Sequence, residues 1–383
     1  HTKLNDKAHR KSLDFSAAAS RLAKDESDKL RRYPELARPM SEPIRITLDD
    51  TTKSAASKLS LEEVLAAKKD SLQNQDAALA KLLAWSSLTP EEAKRLLQSG
   101  DISLEAFLGA LQYVTPEEAA AFLRDAVQQY PENPYLRYLL ARNLATNPDT
   151  RAEAIQQLAA MKEVSPDNAL PYYMEARMKL DSGDINGALM AMDVASNFET
   201  ASAFGLNAAQ AHSAALTAAG YDESVAQFLA AATAGRQEYG ELTALGQDLL
   251  AYGRQYEDSK DYETANSIYE SVQQLGEQVK DGATLSNEQL AGYDLEMAAL
   301  DAVSQLAEIF KTPEGQDMIN LAYGTLSNGL TGFISYLGEL DNLFLSSDAG
   351  TIHDVSTQIL NQGDLTLNDY VSRNTSTTDI RRN

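Results

Sequence analysis

The feature that most limits the fold of this 383-residue chain is a pattern of apolar residues that returns every 34 or 35 positions. Within each copy, small and large apolar residues are spaced by four and then three positions, which places them on one face of a helix. In two copies a proline follows five positions later, just past the helix end. Over residues 131–199 two copies follow each other directly, and we predict that each forms a pair of short helices. The recurring residues are Ala119, Leu123, Ala126 and Pro131; then Ala154, Leu158, Met161 and Pro166; then Ala188, Met192 and Ala195.

Two later segments repeat this pattern. The third copy has Tyr221, Phe228 and Ala231, but it has Ser224 where alanine would be expected, and its first helix is not clearly marked. The fourth copy has Tyr252, Gly253 and Tyr256 in a first helix, a turn at Asp261 and Tyr262, and Ala265, Tyr269 and Val272 in a second helix.

Over roughly residues 100–280 the pattern resembles the tetratricopeptide repeat (TPR) family, whose second helix carries alanine, a large apolar residue, alanine and a closing proline. The resemblance implies an all-α fold in which TPR-like helix pairs stack into an α-α superhelix. It also implies a concave groove that holds a segment of a partner protein.

Local signals mark several helix ends. Residues 89–92 and 115–118 read Thr-Pro-Glu-Glu, and residues 60–63 read Ser-Leu-Glu-Glu. A capping hydroxyl comes first in each, and acids follow at the positive end of the helix dipole, so we predict that a helix begins there. Gly100 and Gly363 are predicted to end helices, and Ser103 and Thr366 to cap the helices that follow.

The same signals divide the chain into four parts. Residues 1–59 are interpreted as a basic, partly extended arm or linker, residues 60–282 as the TPR-like repeats, residues 283–372 as a C-terminal helical cap, and residues 373–383 as a disordered tail. A cap is expected because an end repeat must not leave an apolar face in water.

Three longer helices are predicted within the cap, at about residues 286–310, 316–345 and 352–372. The second contains an uncharged stretch, residues 318–338, with helically spaced apolar residues. Its glycines and polar residues argue against a membrane span, so we interpret it as a buried core helix.

The net charge of −23 is spread unevenly. Residues 1–60 carry 13 Lys and Arg against 9 Asp and Glu, a net charge of +4, which leaves −27 for the remainder. Phosphate backbones repel such an acidic body, so we expect no nucleic-acid binding. The absence of cysteine excludes disulfides, thiol catalysis and cysteine-bound metal.

The sequence shows no Gly-rich phosphate loop, no HExxH and no GxSxG motif. Residues 181–187 are spaced like a calcium loop, but Met192 stands where the closing acid is needed, so we interpret them as a turn between helices. His212 is expected to be packed or to face the groove, and His353 to lie at a helix start. We therefore predict no enzymatic activity, no metal site and no cofactor.

A recurrence of polar residues predicts a binding surface. Tyr138 and Arg142 return 35 positions later as Tyr173 and Arg177, and Arg254 occupies the matching place in the fourth copy. In the family this position faces the groove, so the resemblance implies that these residues line it and that the partner presents carboxylates to the arginines. The alternative is that the arginines pair with acids on neighbouring helices of a very acidic protein.

The leading functional hypothesis is a non-enzymatic protein–protein interaction scaffold that binds a partner segment in the concave face. One alternative is a membrane-tethered structural component of a bacterial cell envelope, with the tether before His1 and the basic arm near the membrane. Another is an enzyme or small-ligand binder with a pocket between the repeats and the C-terminal helices. Because the chain begins at His1, we expect that a start was removed, by cleavage of an export signal or with a tag remnant left behind. An exported or periplasmic, membrane-anchored location is favoured over a cytoplasmic one.

Overall fold

Every regular element in the described part of the chain is a helix. The computed structural model describes residues 59–71, 84–233, 239–310 and 313–367, and these ranges contain fifteen α-helices and no β-strand. The predicted all-α class is therefore confirmed. The predicted arm before residue 59 and the predicted tail lie outside the described residues. The α-helices are α1 Leu61–Ser71, α2 Pro90–Ser99, α3 Leu104–Ala110, α4 Pro116–Gln129, α5 Pro134–Ala145, α6 Arg151–Val164, α7 Leu170–Asp181, α8 Ile185–Ala195, α9 Gly205–Ala218, α10 Glu223–Thr233, α11 Gly240–Asp258, α12 Tyr262–Asp281, α13 Ser286–Phe310, α14 Pro313–Ser346 and α15 Ala349–Gln362, and short 3₁₀ turns lie at Leu111–Tyr113, Pro148–Thr150 and Asp364–Leu367.

The predicted helix starts are confirmed by reciprocal capping. The Thr89 hydroxyl accepts a hydrogen bond from the Glu92 backbone N–H at 3.0 Å, and the Glu92 carboxylate accepts one from the Thr89 backbone N–H at 2.8 Å. The same two bonds form between residues 115 and 118 and between residues 60 and 63. Each pair satisfies backbone donors that the first helical turn leaves without an intrahelical acceptor.

The predicted glycine stops are confirmed, but one predicted helix is too long. Gly100 ends α2 with φ 67°, and Ser103 caps α3 through a 3.1 Å bond from the Ala106 N–H. Gly363 has φ 82°, and α15 ends just before it at Gln362, so the predicted helix over residues 352–372 is wrong over residues 363–367, where a 3₁₀ turn follows the glycine. The Thr366 hydroxyl donates to the Gly363 carbonyl at 2.8 Å within a 3₁₀ turn, and the helix that Thr366 is predicted to cap would continue outside the described residues.

The predicted helix pairs of residues 131–199 are confirmed as α5 with α6 and α7 with α8. Ala154 and Ala188 are fully buried, since each lies where the helices of a pair approach closely. Residues 181–187 form the predicted turn. Gly183 takes φ 79°, and the Asp184 carboxylate caps α8 by accepting the Gly187 N–H at 2.9 Å.

Helices α4 to α8 pack in chain order, but the third pair leaves that order. Helix α7 contacts α11, whereas α9 packs mainly on α3 and α10 packs on α15. The cause lies in the connector between α8 and α9. The side-chain amide of Gln278, in α12, donates to the backbone carbonyls of Ala195 and Phe198 at 3.0 and 2.6 Å. The backbone carbonyl of Gln278 accepts a hydrogen bond from the Ala201 N–H at 2.9 Å. These bonds hold the connector against α12, and the α11–α12 pair lies beside α7 and α8.

Buried side chains form two hydrophobic cores that share α9 and α13. The first core is built by α2 to α8, α11 and α12, and the second by α1, α10, α14 and α15. Helix α13 contributes Leu295 and Leu306 to the first core and Leu290 and Leu300 to the second. The most extensive helix contact joins α12 to α13, so strong packing crosses the predicted boundary between residues 282 and 283.

The uncharged stretch of residues 318–338 lies in α14 and is buried on one face only. Ile319, Leu326, Leu330 and Phe333 are buried, as the spacing predicts. Met318 and Leu321 are 73% exposed on the other face, which corrects the prediction of a wholly buried helix. Among the helices whose placement is described, none is both long and apolar enough to cross a membrane.

Candidate functional site

The two predicted groove tyrosines lie in the core. Tyr138 is 1% exposed, and its ring packs against the rings of Tyr135 and Phe204 at centroid distances of 6.3 and 5.7 Å. The Arg142 guanidinium carbon lies 5.5 Å from the centre of the Tyr138 ring, within the range of a cation–π contact. Tyr138 therefore supports Arg142 from below and offers no surface of its own to a partner.

Tyr173 is also buried, and its hydroxyl connects two helices. It donates to the Gln278 side-chain oxygen at 2.5 Å, which joins α7 to α12 at the connector described above. Burial raises the pKa of the Tyr173 phenol, so this group stays protonated and remains a donor. Its role in the fold is structural, in contrast to the predicted contact with a partner.

Arg177 is engaged by acids on its own and the neighbouring helix. Its guanidinium lies 2.6 Å from the Asp248 carboxylate of α11 and 2.8 Å from the Asp181 carboxylate of α7, and its side chain is 28% exposed. This geometry agrees with the ion-pair alternative for this arginine. The pair with Asp248 also bridges α7 and α11, the two helices brought together when the third pair leaves the stack.

Arg254 is exposed on α11, six positions after Asp248, which places the two side chains about 120° apart around the helix. It makes no ion pair within 4 Å among the residues that the structure describes. Desolvation raises the pKa of the Glu241 carboxyl, and the positive charges of Arg142 and Arg177 oppose this rise. We call the surface formed by Arg142, Arg177, Glu241 and Asp248 the arginine face, and it is mixed in charge rather than purely basic. Arg254 lies on another side of α11.

The structure reveals an open cleft that sequence reasoning missed. Its volume is about 680 Å³, and it lies where the turn between α4 and α5 meets the start of α9. We call it the aromatic cleft. Two walls are the rings of Tyr135 and Phe204, 5.5 Å apart and inclined by 44°, and Tyr130 at its edge is 48% exposed. The lining residues are Tyr130, Pro131, Glu132, Asn133, Pro134, Tyr135, Phe204 and Asn207.

Local hydrogen bonds and backbone geometry position the walls of the cleft. Asn133 caps α5 by accepting the Leu136 N–H at 3.1 Å, and the Pro131 carbonyl accepts the Arg137 Nε–H at 2.8 Å. Phe204 has φ 63°, in the left-handed region that bulky residues rarely adopt, and this conformation is retained while its ring packs on two tyrosines. Residues 130–134 could be recognised from the sequence as a proline-rich turn with a cap. No sequence signal connects that turn to Phe204, about 70 positions away.

The aromatic cleft touches the arginine face through one residue. The Tyr138 ring contacts Phe204 on one side and lies beneath the Arg142 guanidinium on the other. A ligand that fills the cleft therefore lies close to Arg142, and the two surfaces form one continuous candidate site.

The histidine of α9, His212, is held by polar partners. The His212 Nε2 lies 2.5 Å from the Ser86 carbonyl and 3.0 Å from the Tyr113 hydroxyl, and burial lowers the pKa of its imidazole. His212 is thus packed, one of the two predicted situations. No group of three or more His, Cys, Asp or Glu side chains within the described part of the chain is arranged to hold a metal ion.

Comparisons of this chain with protein-family models, with curated proteins and with solved structures found no match.

Proposed function

We propose that this protein is a non-enzymatic interaction scaffold of TPR-like helix pairs that binds a segment of a partner protein. The observation that carries the proposal is the aromatic cleft. It is open to solvent, lined by rings, prolines and amides, and continuous with the charged arginine face. An exposed aromatic ring such as that of Tyr130, beside polar amides, is typical of protein-binding surfaces.

The chemistry of the lining supports binding rather than catalysis. Glu132 is the one carboxylate among the eight lining residues, and that set contains no serine, histidine or lysine to form a nucleophile–base pair. A small-molecule site would also be more enclosed than this open cleft. The cell-envelope alternative depends on the segment before residue 59, which lies outside the described residues.

Within this proposal, Arg254 receives a carboxylate of the partner. Arg177 is already paired with Asp181 and Asp248, whereas Arg254 is exposed and lacks an ion pair among the described residues. Because its guanidinium makes no ion pair among the described residues, Arg254 can donate two parallel hydrogen bonds to a partner carboxylate without breaking such a contact.

The test is affinity capture with the intact chain as bait, followed by cross-linking to map the bound segment of each captured protein. We expect Arg254→Glu to weaken capture and the remaining binding to lose part of its salt dependence, while the melting temperature stays within about 1–2 °C because the site is exposed. Arg95→Glu is the matched control, since Arg95 is exposed on α2 and undergoes the same charge reversal. Equal effects of the two variants would refute a specific role for Arg254. Cross-links that avoid both the cleft and the arginine face would refute the proposed site.

A further inference from the structure

One side of α14 faces solvent along its uncharged stretch. Met318 and Leu321 are each 73% exposed, and apolar side chains exposed side by side on one helix are typical of a contact with another molecule. Spacings that alternate between three and four positions continue this exposed side along the helix, as in the seam where two coiled-coil helices meet. We call it the α14 seam, and its six exposed residues are Met318, Leu321, Thr325, Asn328, Gly332 and Ser335.

The α14 seam carries no charge, although the chain is strongly acidic. Residues 318–338 contain no Asp, Glu, Lys, Arg or His, whereas the whole chain has a net charge of −23. Two copies of such a chain repel each other across their acidic surfaces. The uncharged stretch is about 30 Å long as a helix, so a second copy can approach along it at a low electrostatic cost.

The α14 seam is also complementary in shape to itself. Its large residues, Met318 and Leu321, lie at one end, and its small residues, Gly332 and Ser335, lie at the other. An added Cβ at Gly332 would have no atom within 4 Å, so there is open space above that glycine. In an antiparallel pair centred between residues 326 and 327, Leu321 of one copy lies opposite Gly332 of the other, and Met318 lies opposite Ser335. Large side chains then fill the space above small ones, as knobs-into-holes packing requires.

We infer that the α14 seam pairs with the same seam of a second copy of this chain as an antiparallel coiled coil. In the central layer Thr325 meets Asn328 of the second copy, so the polar residues of the seam face each other. Only two large apolar residues per copy enter the contact, so the expected dissociation constant is about 10–100 µM. The inference is independent of the proposed function. A dimer would present two aromatic clefts on one particle and would bind repeated partner segments more tightly.

Sedimentation equilibrium of the full chain over about 1–200 µM tests the inference, and the mass should rise from 41.7 kDa towards twice that value. Met318→Asp places a charge in the seam and should raise the dissociation constant at least about tenfold. Met190→Asp is the matched control, because Met190 is 70% exposed on α8 and undergoes the same change outside the seam. A chain that stays monomeric over this range, or equal losses in the two variants, would overturn the inference.

Engineered cysteines test the register, because the chain has no cysteine of its own. Chains with Met318→Cys mixed with chains with Ser335→Cys should form a disulfide-linked dimer under mild oxidation, since the two positions lie opposite each other. Met318→Cys alone should cross-link far less, because the two copies of this position are about 25 Å apart along the pair. Equal cross-linking of the mixture and of the single variant would overturn the antiparallel pairing.

Salt dependence separates this contact from an attraction between the basic N-terminal residues of one copy and the acidic body of another. Salt screens the repulsion between acidic surfaces, so raising NaCl from about 50 to about 500 mM should lower the dissociation constant at least about twofold. Association that weakens over this range would overturn the inference. Binding to phosphatidylcholine vesicles that is lost in Met318→Asp, while the chain in solution stays monomeric, would assign the seam to a lipid surface and overturn it as well.

Discussion

At the scale of single residues, the polar contacts that matter most join positions far apart in the chain. The Tyr173 hydroxyl donates to a Gln278 oxygen that has no access to solvent. Removing the hydroxyl leaves a buried acceptor without its donor, and the penalty for such a group exceeds the net value of an ordinary hydrogen bond.

We therefore predict that Tyr173→Phe lowers the free energy of unfolding by about 1–2 kcal/mol, measured by chemical denaturation. Tyr172→Phe is the control, because Tyr172 is half-buried and its ring contacts Phe198 and Lys162, contacts that phenylalanine preserves. Equal stabilities of the Tyr173 variant and the parent chain would show that Gln278 is satisfied in another way.

Asp364 makes the stability of the fold depend on pH. Its carboxylate accepts the Ser286 N–H at 2.7 Å and the Ser286 hydroxyl at 2.5 Å, and burial nevertheless raises its pKa to about 6. An aspartate in an unfolded chain has a pKa of about 3.9. Between these two values the folded protein holds a proton that the unfolded chain has released, so the contribution of Asp364 to stability is lost as the pH rises towards and beyond 6.

The prediction concerns Asp364→Asn, which keeps an oxygen for the Ser286 N–H and cannot ionise. The free energy of unfolding of the variant minus that of the parent should increase as the pH is raised from about 4 to about 7. Denaturant unfolding of both proteins over that pH range measures the difference. A difference that is flat, or that shrinks with rising pH, would contradict the assigned protonation.

At the scale of elements, glycine sets how closely α12 and α13 approach. A Cβ atom on Gly292 would lie 2.7 Å from the Gly276 carbonyl oxygen and from the Lys280 backbone nitrogen, and both are backbone atoms that cannot move aside alone. Gly324, in contrast, lies on α14 with no atom within 4 Å of such a Cβ. The two glycines therefore form a matched pair of tests.

We expect Gly292→Ala to destabilise the protein by about 1–3 kcal/mol through overpacking. Gly324→Ala should stabilise it by about 0.5–1 kcal/mol, because alanine loses less backbone entropy in a helix. Thermal unfolding followed by circular dichroism compares both with the parent. A harmless Gly292→Ala would mean that α12 and α13 can separate without cost.

At the scale of the whole molecule, α9 and α13 belong to both cores, so the two cores should unfold together. Leu158 lies in the first core and is 1% exposed, while Trp85, the single tryptophan, lies in the second. Leu158→Ala removes buried volume and should cost about 2–5 kcal/mol.

The expected result is that the fluorescence transition of Trp85 moves to lower denaturant by as much as the far-ultraviolet circular dichroism transition. Coincident transitions are the mark of cooperative unfolding. Leu326→Ala in the second core serves as the reciprocal variant. If the denaturant midpoint of the Trp85 transition in Leu158→Ala equals that of the parent protein, the two cores unfold as independent units.

The sequence by itself determined the helices and where they end. The caps at Thr89 and Thr115, the stops at Gly100 and Gly363, and the apolar spacing of the repeats all act between residues within about one or two helical turns. Their energies depend little on the remainder of the fold, so they can be identified in the sequence alone.

Only the tertiary structure decided which helices became neighbours and which predicted site residues reached the surface. The apolar faces of α9 and α11 are equally plausible partners for α7 when judged by sequence, and the choice follows from Gln278 bonds that span 80 or more positions. Likewise Arg177 pairs with Asp248, 71 positions later in the chain, and the side chains of Tyr138 and Tyr173 are buried in the core. Phe204 packs beside the turn at Pro131 and forms one wall of the aromatic cleft. Such contacts are selected by the packing of all the helices together, because many pairings bury similar apolar area, and the complete arrangement also gives buried polar groups such as Gln278 and Asp364 their hydrogen-bond partners.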